Sequence, residues 1–267
     1  KFGMIGSTDS HTGLATAEED NFWGKYATDS TPETKDQDII GVAKNSGWDM
    51  AAAGLTAVWA QENTREAIYA AFKRKEVYAT TGPRIGLRFF GGWNLPKQSQ
   101  YSENLAKIGY QLGVPMGGDL ITPKGKRSPE FLVRAVKDPL GANLDRVQII
   151  KGWIDKQGAP HERIYNIVWS GDRSIDKDGQ LAAVGNTVDR DFGTFKNTIG
   201  SAELTAHWVD PQFDPDHRAF YYVRVLEIPT PRHSLFDKIA LGQMDLQNGP
   251  EILQERAYSS PIWYTPQ

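Results

Sequence analysis

An aspartate and a histidine two residues apart, Asp9 and His11, stand in the stretch Ser7-Thr8-Asp9-Ser10-His11-Thr12-Gly13. A carboxylate and an imidazole so spaced at the end of a strand can turn toward one point and hold a divalent cation. Such a cation lowers the pKa of its bound water and polarises an ester or phosphoryl oxygen, supplying nucleophile and electrophile together. The plainer alternative is a polar loop in which Asp9 bonds backbone amides and His11 lies on the surface. Arg84 is the next candidate, because Thr81-Gly82-Pro83 can fix a turn that aims its guanidinium at a phosphate, sulfate or carboxylate of a substrate. A surface salt bridge would use the same residue equally well. Glu62 and Arg65 flank a helix start and could approach the same cleft as substrate-binding groups, with capping and surface pairing as their simpler roles.

For these residues to act together, a strand must precede the Asp9 loop. Lys1 to Gly6 reads as a short buried strand, so the loop falls at its C-terminal end, where α/β barrels and open α/β sheets place their chemistry. The polar stretch to about Pro32 is an extended loop of the kind that forms lids or binding elements. A weakly amphipathic helix is predicted over Glu33–Lys44. A clearer one is capped by Asn63 with Glu66 three residues on, its buried stripe formed by Ala67, Ile68, Ala71 and Phe72. From Val77 onward, short β-type runs alternate with Gly, Pro, Asn and Asp. Strands are predicted at Val77–Thr81, Ile85–Phe90, Phe131–Lys137, Arg146–Lys151, Ile164–Trp169, Ala202–Trp208 and Phe220–Ile228. In the last, Tyr221, Val223 and Val225 share one face, while Arg224 and Glu227 mark solvent or partner contacts. Seven short strands with turn signals argue for an antiparallel sandwich.

Composition narrows the function classes. The 267 residues suit one large domain or two ordinary ones, and 39% hydrophobic against 24% charged residues argues for a folded chain. A formal net charge of −3 offers no basic footprint for nucleic acid. Cysteine is absent, which excludes disulfides, zinc-thiolate sites and a thiol nucleophile. No apolar run reaches the roughly 20 residues that span a bilayer, so no membrane span is expected.

Several tempting patterns fail. His161-Glu162-Arg163-Ile164-Tyr165 begins like a zincin helix, but Tyr165 stands where the second histidine is needed and Pro160 precedes it, so a loop is expected. Ser174 to Gly179 is similar to a calcium loop, yet Gly185 holds the place of the bidentate glutamate, which leaves a hairpin turn. His207, His217 and His233 are scattered and read as structural. Gly117-Gly118 is a turn signal without a phosphate-loop lysine.

The opening Phe2-Gly3-Met4-Ile5-Gly6-Ser7-Thr8-Asp9-Ser10-His11 resembles the Gly-Ser-Asp-x-His segment that closes the metal site of PHP-superfamily hydrolases. The likeness continues through Gly54-Leu55-Thr56-Ala57-Val58-Trp59-Ala60, Tyr78-Ala79-Thr80-Thr81-Gly82-Pro83-Arg84, Glu227-Ile228-Pro229-Thr230-Pro231-Arg232 and Gln254-Glu255-Arg256-Ala257-Tyr258. Together these segments resemble the bacterial family called domain of unknown function 3604, related to carbaryl-hydrolase-type PHP metallohydrolases.

The resemblance implies an α+β chain: residues 1–75 as the C-terminal remnant of a PHP-type β/α barrel, then 76–267 as an antiparallel β-sandwich-like domain. It implies a hydrolase acting on phosphoester or carboxylic-ester-type bonds of a small molecule through metal-activated water, the alternative being a non-catalytic ligand-binding or scaffold module. Asp9 and His11 would be the last two ligands of a divalent ion, manganese, zinc or iron. The family's earlier ligands have no counterpart here, so the site is incomplete in this chain, weak metal binding is expected of it alone, and a missing N-terminal segment is its expected partner. Arg84 would orient the substrate or stabilise charge, and Arg232 and Arg256 would brace barrel against β-domain. Export signals are common in such families, which favours the periplasm.

Overall fold

The computed structural model describes residues 1–14, 18–36, 45–121, 127–247 and 249–266. In chain order its regular elements are β1 (Leu55–Val58), α1 (Arg65–Lys73), β2 (Val77–Thr80), β3 (Gly86–Gly92), α2 (Leu105–Leu112), β4 (Gly113–Pro115), β5 (Asp119–Leu120), β6 (Glu130–Val136) and β7 (Leu144–Ile154). Then follow β8 (Pro160–Trp169), β9 (Glu203–Val209), β10 (Arg218–Glu227), β11 (Thr230–Pro231), α3 (His233–Leu241), β12 (Ile252–Leu253), β13 (Arg256–Ser259) and β14 (Ile262–Tyr264). The chain is thus mixed α+β, mostly sheet with few helices.

Strand β10 organises the larger sheet. One edge pairs along its length with β7, which pairs on with β8; the other edge is shared by β13 and β14. β13 leads to β2 and β1, and β14 to β5, the one parallel pairing among the described residues. The second sheet runs β4-β3-β6-β9, all antiparallel. β11 and β12 form a separate antiparallel pair, and neither of the two larger sheets closes on itself.

Period-two burial stacks the two sheets. Tyr221, Val223 and Val225 of β10 are wholly buried, and they share one core with Val147 and Ile149 of β7 and with Phe89, Phe131 and Val133 of the smaller sheet. The Phe131 ring lies 4.6 Å from that of Tyr221 and 5.5 Å from Phe89, joining the layers directly. Each such side chain contributes about 1.5–3 kcal/mol by leaving water. Helix α2 covers the outer face of the smaller sheet, where Leu105 packs with Phe90, Leu95 and Leu132. Gly109 permits that approach: a methyl group there would stand 2.3 Å from the Phe90 ring.

All seven predicted strands are present, with ends moved by a few residues. Several expectations need correction. Lys1–Gly6 forms no strand, and Phe2 and Ile5 are exposed; the segment is tied instead by Met4 N donating to Ser260 Oγ and by reciprocal bonds between Gly6 and the Thr56 hydroxyl. The helix near residue 65 is capped by Thr64, whose hydroxyl accepts from Ala67 N at 3.3 Å, rather than by Asn63. Phe72 is exposed, so its buried stripe narrows to Ala71 with Ala67 and Ile68 half-buried. Of the predicted Glu33–Lys44 helix only a 3-10 turn, Pro32–Thr34, is seen, residues 37–44 lying outside those described. His161 falls in strand β8 rather than in a loop, because the turn at Asp155–Gly158 sends the chain straight back along β7.

Candidate functional site

The Asp9 loop is built from short polar contacts. Ser7 Oγ accepts from Asp9 N, and Asp9 itself adopts φ 53°, the left-handed region that a non-glycine residue seldom enters. His11 is fixed from three sides: its amide donates to Lys25 O at 2.8 Å, its ring stacks on Tyr26 with centroids 4.6 Å apart, and Nδ1 lies 2.9 Å from the Asp9 carbonyl oxygen. Lys25 donates its ammonium to the Thr8 carbonyl, and burial holds its pKa below the usual lysine range against the pull of Asp9, Asp29 and Glu19. Both Asp9 and His11 are exposed.

The segments that carry this loop are anchored on helix α3. Lys35 and Asp237 form a buried ion pair at 2.8 Å, and Trp48 Nε1 donates to the same carboxylate at 2.9 Å. Desolvation opposes the Asp237 charge, but His233, its Nδ1 3.9 Å from the carboxylate, and the Lys35 ammonium that donates to it overcome that and hold the carboxyl below its usual range. Arg232 donates to the carbonyls of Trp48 and Met50, and His233 N donates to Glu19 at 2.7 Å. Arg232 therefore braces residues 48–50. Arg256, by contrast, is exposed, and its guanidinium donates to the Tyr258 hydroxyl at 3.4 Å.

Glu19 also leads into a cavity of about 500 Å³. Its lining includes Glu19, Arg84, Asp138, Glu227, Thr230 and Glu255. Glu227 was expected at solvent or a partner contact, yet it is 1% exposed. The cause is a register shift against β7 between Leu226 and Glu227, which breaks the alternation and buries Leu226, Glu227 and Ile228 in succession. Glu227 N donates to the Glu255 carbonyl at 2.9 Å, which brings the two acids together. Burial, then the charges of Glu255 and Asp138, push the Glu227 carboxyl up to about 8. Glu255, buried and facing Glu19, is likewise pushed up to about 8, although the Thr81 hydroxyl donates to it.

Of the predicted site residues, Asp9 and His11 share one turn, and Arg84 stands exposed at the cavity, its amide donating to Asp138 Oδ2 at 2.6 Å. Glu62 is exposed ahead of α1 and does not line the cavity. Among the described residues no group of three or more His, Asp or Glu side chains could hold a metal ion. Glu227 and Glu255 were missed as site residues. For Glu227 the available signal was an acid closing an apolar strand segment, with Pro229 barring its continuation; Glu255, between two short strands, carries no such signal.

The model of a protein family of unknown function, DUF3604, matches residues 1–266. The chain belongs to that family. Nothing matches among the curated proteins or the solved structures. No helix among the described residues of this DUF3604 member is long and apolar enough to cross a membrane.

Proposed function

We propose that the chain forms part of a metal-dependent hydrolase of phosphoester or carboxylic-ester-type bonds, with residues 1–75 belonging to a PHP-like barrel portion. The observation that supports this best is the His11 ring. A carbonyl oxygen can only accept, so Nδ1 donates to Asp9 O, and in the neutral ring Nε2 keeps its lone pair. A backbone carbonyl holding one imidazole nitrogen while the other is left to a ligand is the arrangement that orients metal-binding histidines. The left-handed conformation of Asp9 beside it, which costs of order 1 kcal/mol, is the kind of local strain that clusters at functional sites.

Asp9 and His11 are suitable donors for manganese, zinc or iron. Two donors nevertheless fall short of the three protein ligands plus water of a catalytic zinc site, so the reading requires donors beyond the described residues. An ion bound there would supply activated water and polarise the scissile group. The chain's own contribution is to orient and exclude. Arg84 at the cavity can pair with an anionic group of the substrate, and Glu227 and Glu255 hold carboxyl protons inside it near neutral pH.

Calorimetric titration of manganese or zinc into the native-length protein tests this reading, repeated with Asp9→Asn and His11→Ala. Loss of stoichiometric binding in both folded variants is expected. An ion that both variants retain as tightly as the parent would contradict it. A second reading, a non-catalytic ligand-binding module, is favoured by the cavity itself and would be marked by ligand binding without turnover across a broad ester panel.

A further inference from the structure

The cavity floor has more hydrogen-bonding capacity than the protein uses. Glu227 is 1% exposed and Thr230 8%, yet Glu227 Oε1 and Thr230 Oγ1 have no hydrogen-bond partner among the described residues. Both residues line the cavity. A buried oxygen left unpaired costs about 1–3 kcal/mol, more if charged, so these two atoms call for a hydrogen-bond partner beyond the described residues, which a ligand in the cavity can supply. The way to Oε1 is open because residue 141 is glycine: a methyl group there would lie 3.5 Å from that oxygen.

Charge and shape decide what the donor is. Glu19, Asp138, Glu227 and Glu255 all line the cavity. Of the cations acting on them, Lys137 is engaged by the carbonyls of Asp138, Pro139 and Gly141, Arg256 is exposed, and Arg84 lies at the cavity with its side chain in solvent. Even with Glu227 and Glu255 protonated, Glu18, Glu19, Asp20 and Asp138 outnumber Arg84 in the lining, so the surplus is negative. Pro83, Leu140, Phe195 and Phe236 give the lining an apolar part, and a volume of about 500 Å³ suits a small molecule. Gly193, at φ 62°, lets the turn beneath Phe195 close onto Phe236, since a methyl group there would stand 2.8 Å from that ring. With no group of three metal-holding side chains among the described residues, a bare metal ion does not match this floor.

We infer that this cavity binds a small organic cation, an ammonium or amidinium on a compact aromatic or hydrocarbon body. Its N–H groups donate to Glu227 Oε1 and Thr230 Oγ1, and its body lies against Phe195 and Phe236, where an aromatic face also favours a cation. The inference stands on the cavity alone and holds whether or not the Asp9 loop carries a metal. Because burial and neighbouring acids keep Glu227 and Glu255 protonated near neutral pH, a bound cation favours the ionised form and expels a proton.

Isothermal titration of the native-length protein with phenethylamine, benzamidine and the uncharged phenethyl alcohol, in two buffers of different ionisation enthalpy near pH 7, tests this. At least one of the two cations is expected to bind with Kd at or below about 1 mM, with the alcohol weaker by about tenfold or more. Proton release should accompany the cation only. Glu227→Gln should weaken cation binding by about tenfold and abolish most of the proton release. Thr230→Val, which keeps the shape and removes the acceptor, should weaken it several-fold, and it carries the test if the first variant fails to fold. Equal binding of the alcohol, no binding of either cation at about 10 mM, or unchanged affinity in the folded variants would overturn the inference.

Discussion

Replacing Glu227 by glutamine should make the protein more stable at alkaline pH and leave it nearly unchanged at acid pH. In the folded chain the Glu227 carboxyl titrates at about 8, against an ordinary value of 4.5. Between those values the folded state holds a proton that the unfolded state has released, so stability falls as pH rises through this window. The full fall is 8 minus 4.5 units, which at about 1.4 kcal/mol per unit is roughly 5 kcal/mol. That is an upper figure, because local rearrangement and water entry soften the cost of a buried charge. Glutamine keeps the shape and can still accept from the Ala142 amide, which hydrogen-bonds the glutamate. Urea unfolding of both proteins from about pH 5 to about pH 9 measures the effect. The two curves should nearly coincide at the acid end, and the variant should be about 2–5 kcal/mol more stable at the alkaline end. The variant should keep part of the parent's alkaline fall, because Glu255 titrates at about 8 for similar reasons. A difference that does not change with pH, or a variant that weakens as pH rises, would refute the burial argument.

Two further substitutions probe the frame that holds the site. Lys35→Met strands the buried Asp237 carboxylate and should cost about 3–5 kcal/mol, seen as a lower Tm and as faster amide exchange in residues 18–36. Phe131→Ala empties the junction between the sheets and should cost about 3–5 kcal/mol in denaturant unfolding without changing the pH window set by Glu227.

The strands were legible because their signal is local. Alternation in Tyr221, Val223 and Val225 gave both the element and its buried face. Glu227 was misread because the register shift before it is a property of the pair of strands, and nothing at residue 227 announces that its neighbour in β7 has slipped. The opening segment failed for a related reason. Its apolar residues match a strand pattern, but Gly6 is pressed against Leu55, where a methyl group would meet the Leu55 carbonyl at 2.6 Å, and its bonds run to side chains. Asp9 and His11 could be picked out by type and spacing, whereas the cavity could not. Its walls come from residues 18–20, 82–84, 138 and 140–142, 193–195, 227–236 and 255, and only the fold brings these together.

Hydrolysis tests the central claim most directly. The native-length protein, assayed with added manganese or zinc against a panel of phosphate and carboxylic esters, should turn over at least one of them. Asp9→Ala should abolish that turnover while circular dichroism and Tm stay at parental values. Equal rates in the folded Asp9→Ala protein, or a parent that hydrolyses none of the panel, would contradict the assignment of the Asp9 loop to a hydrolytic centre.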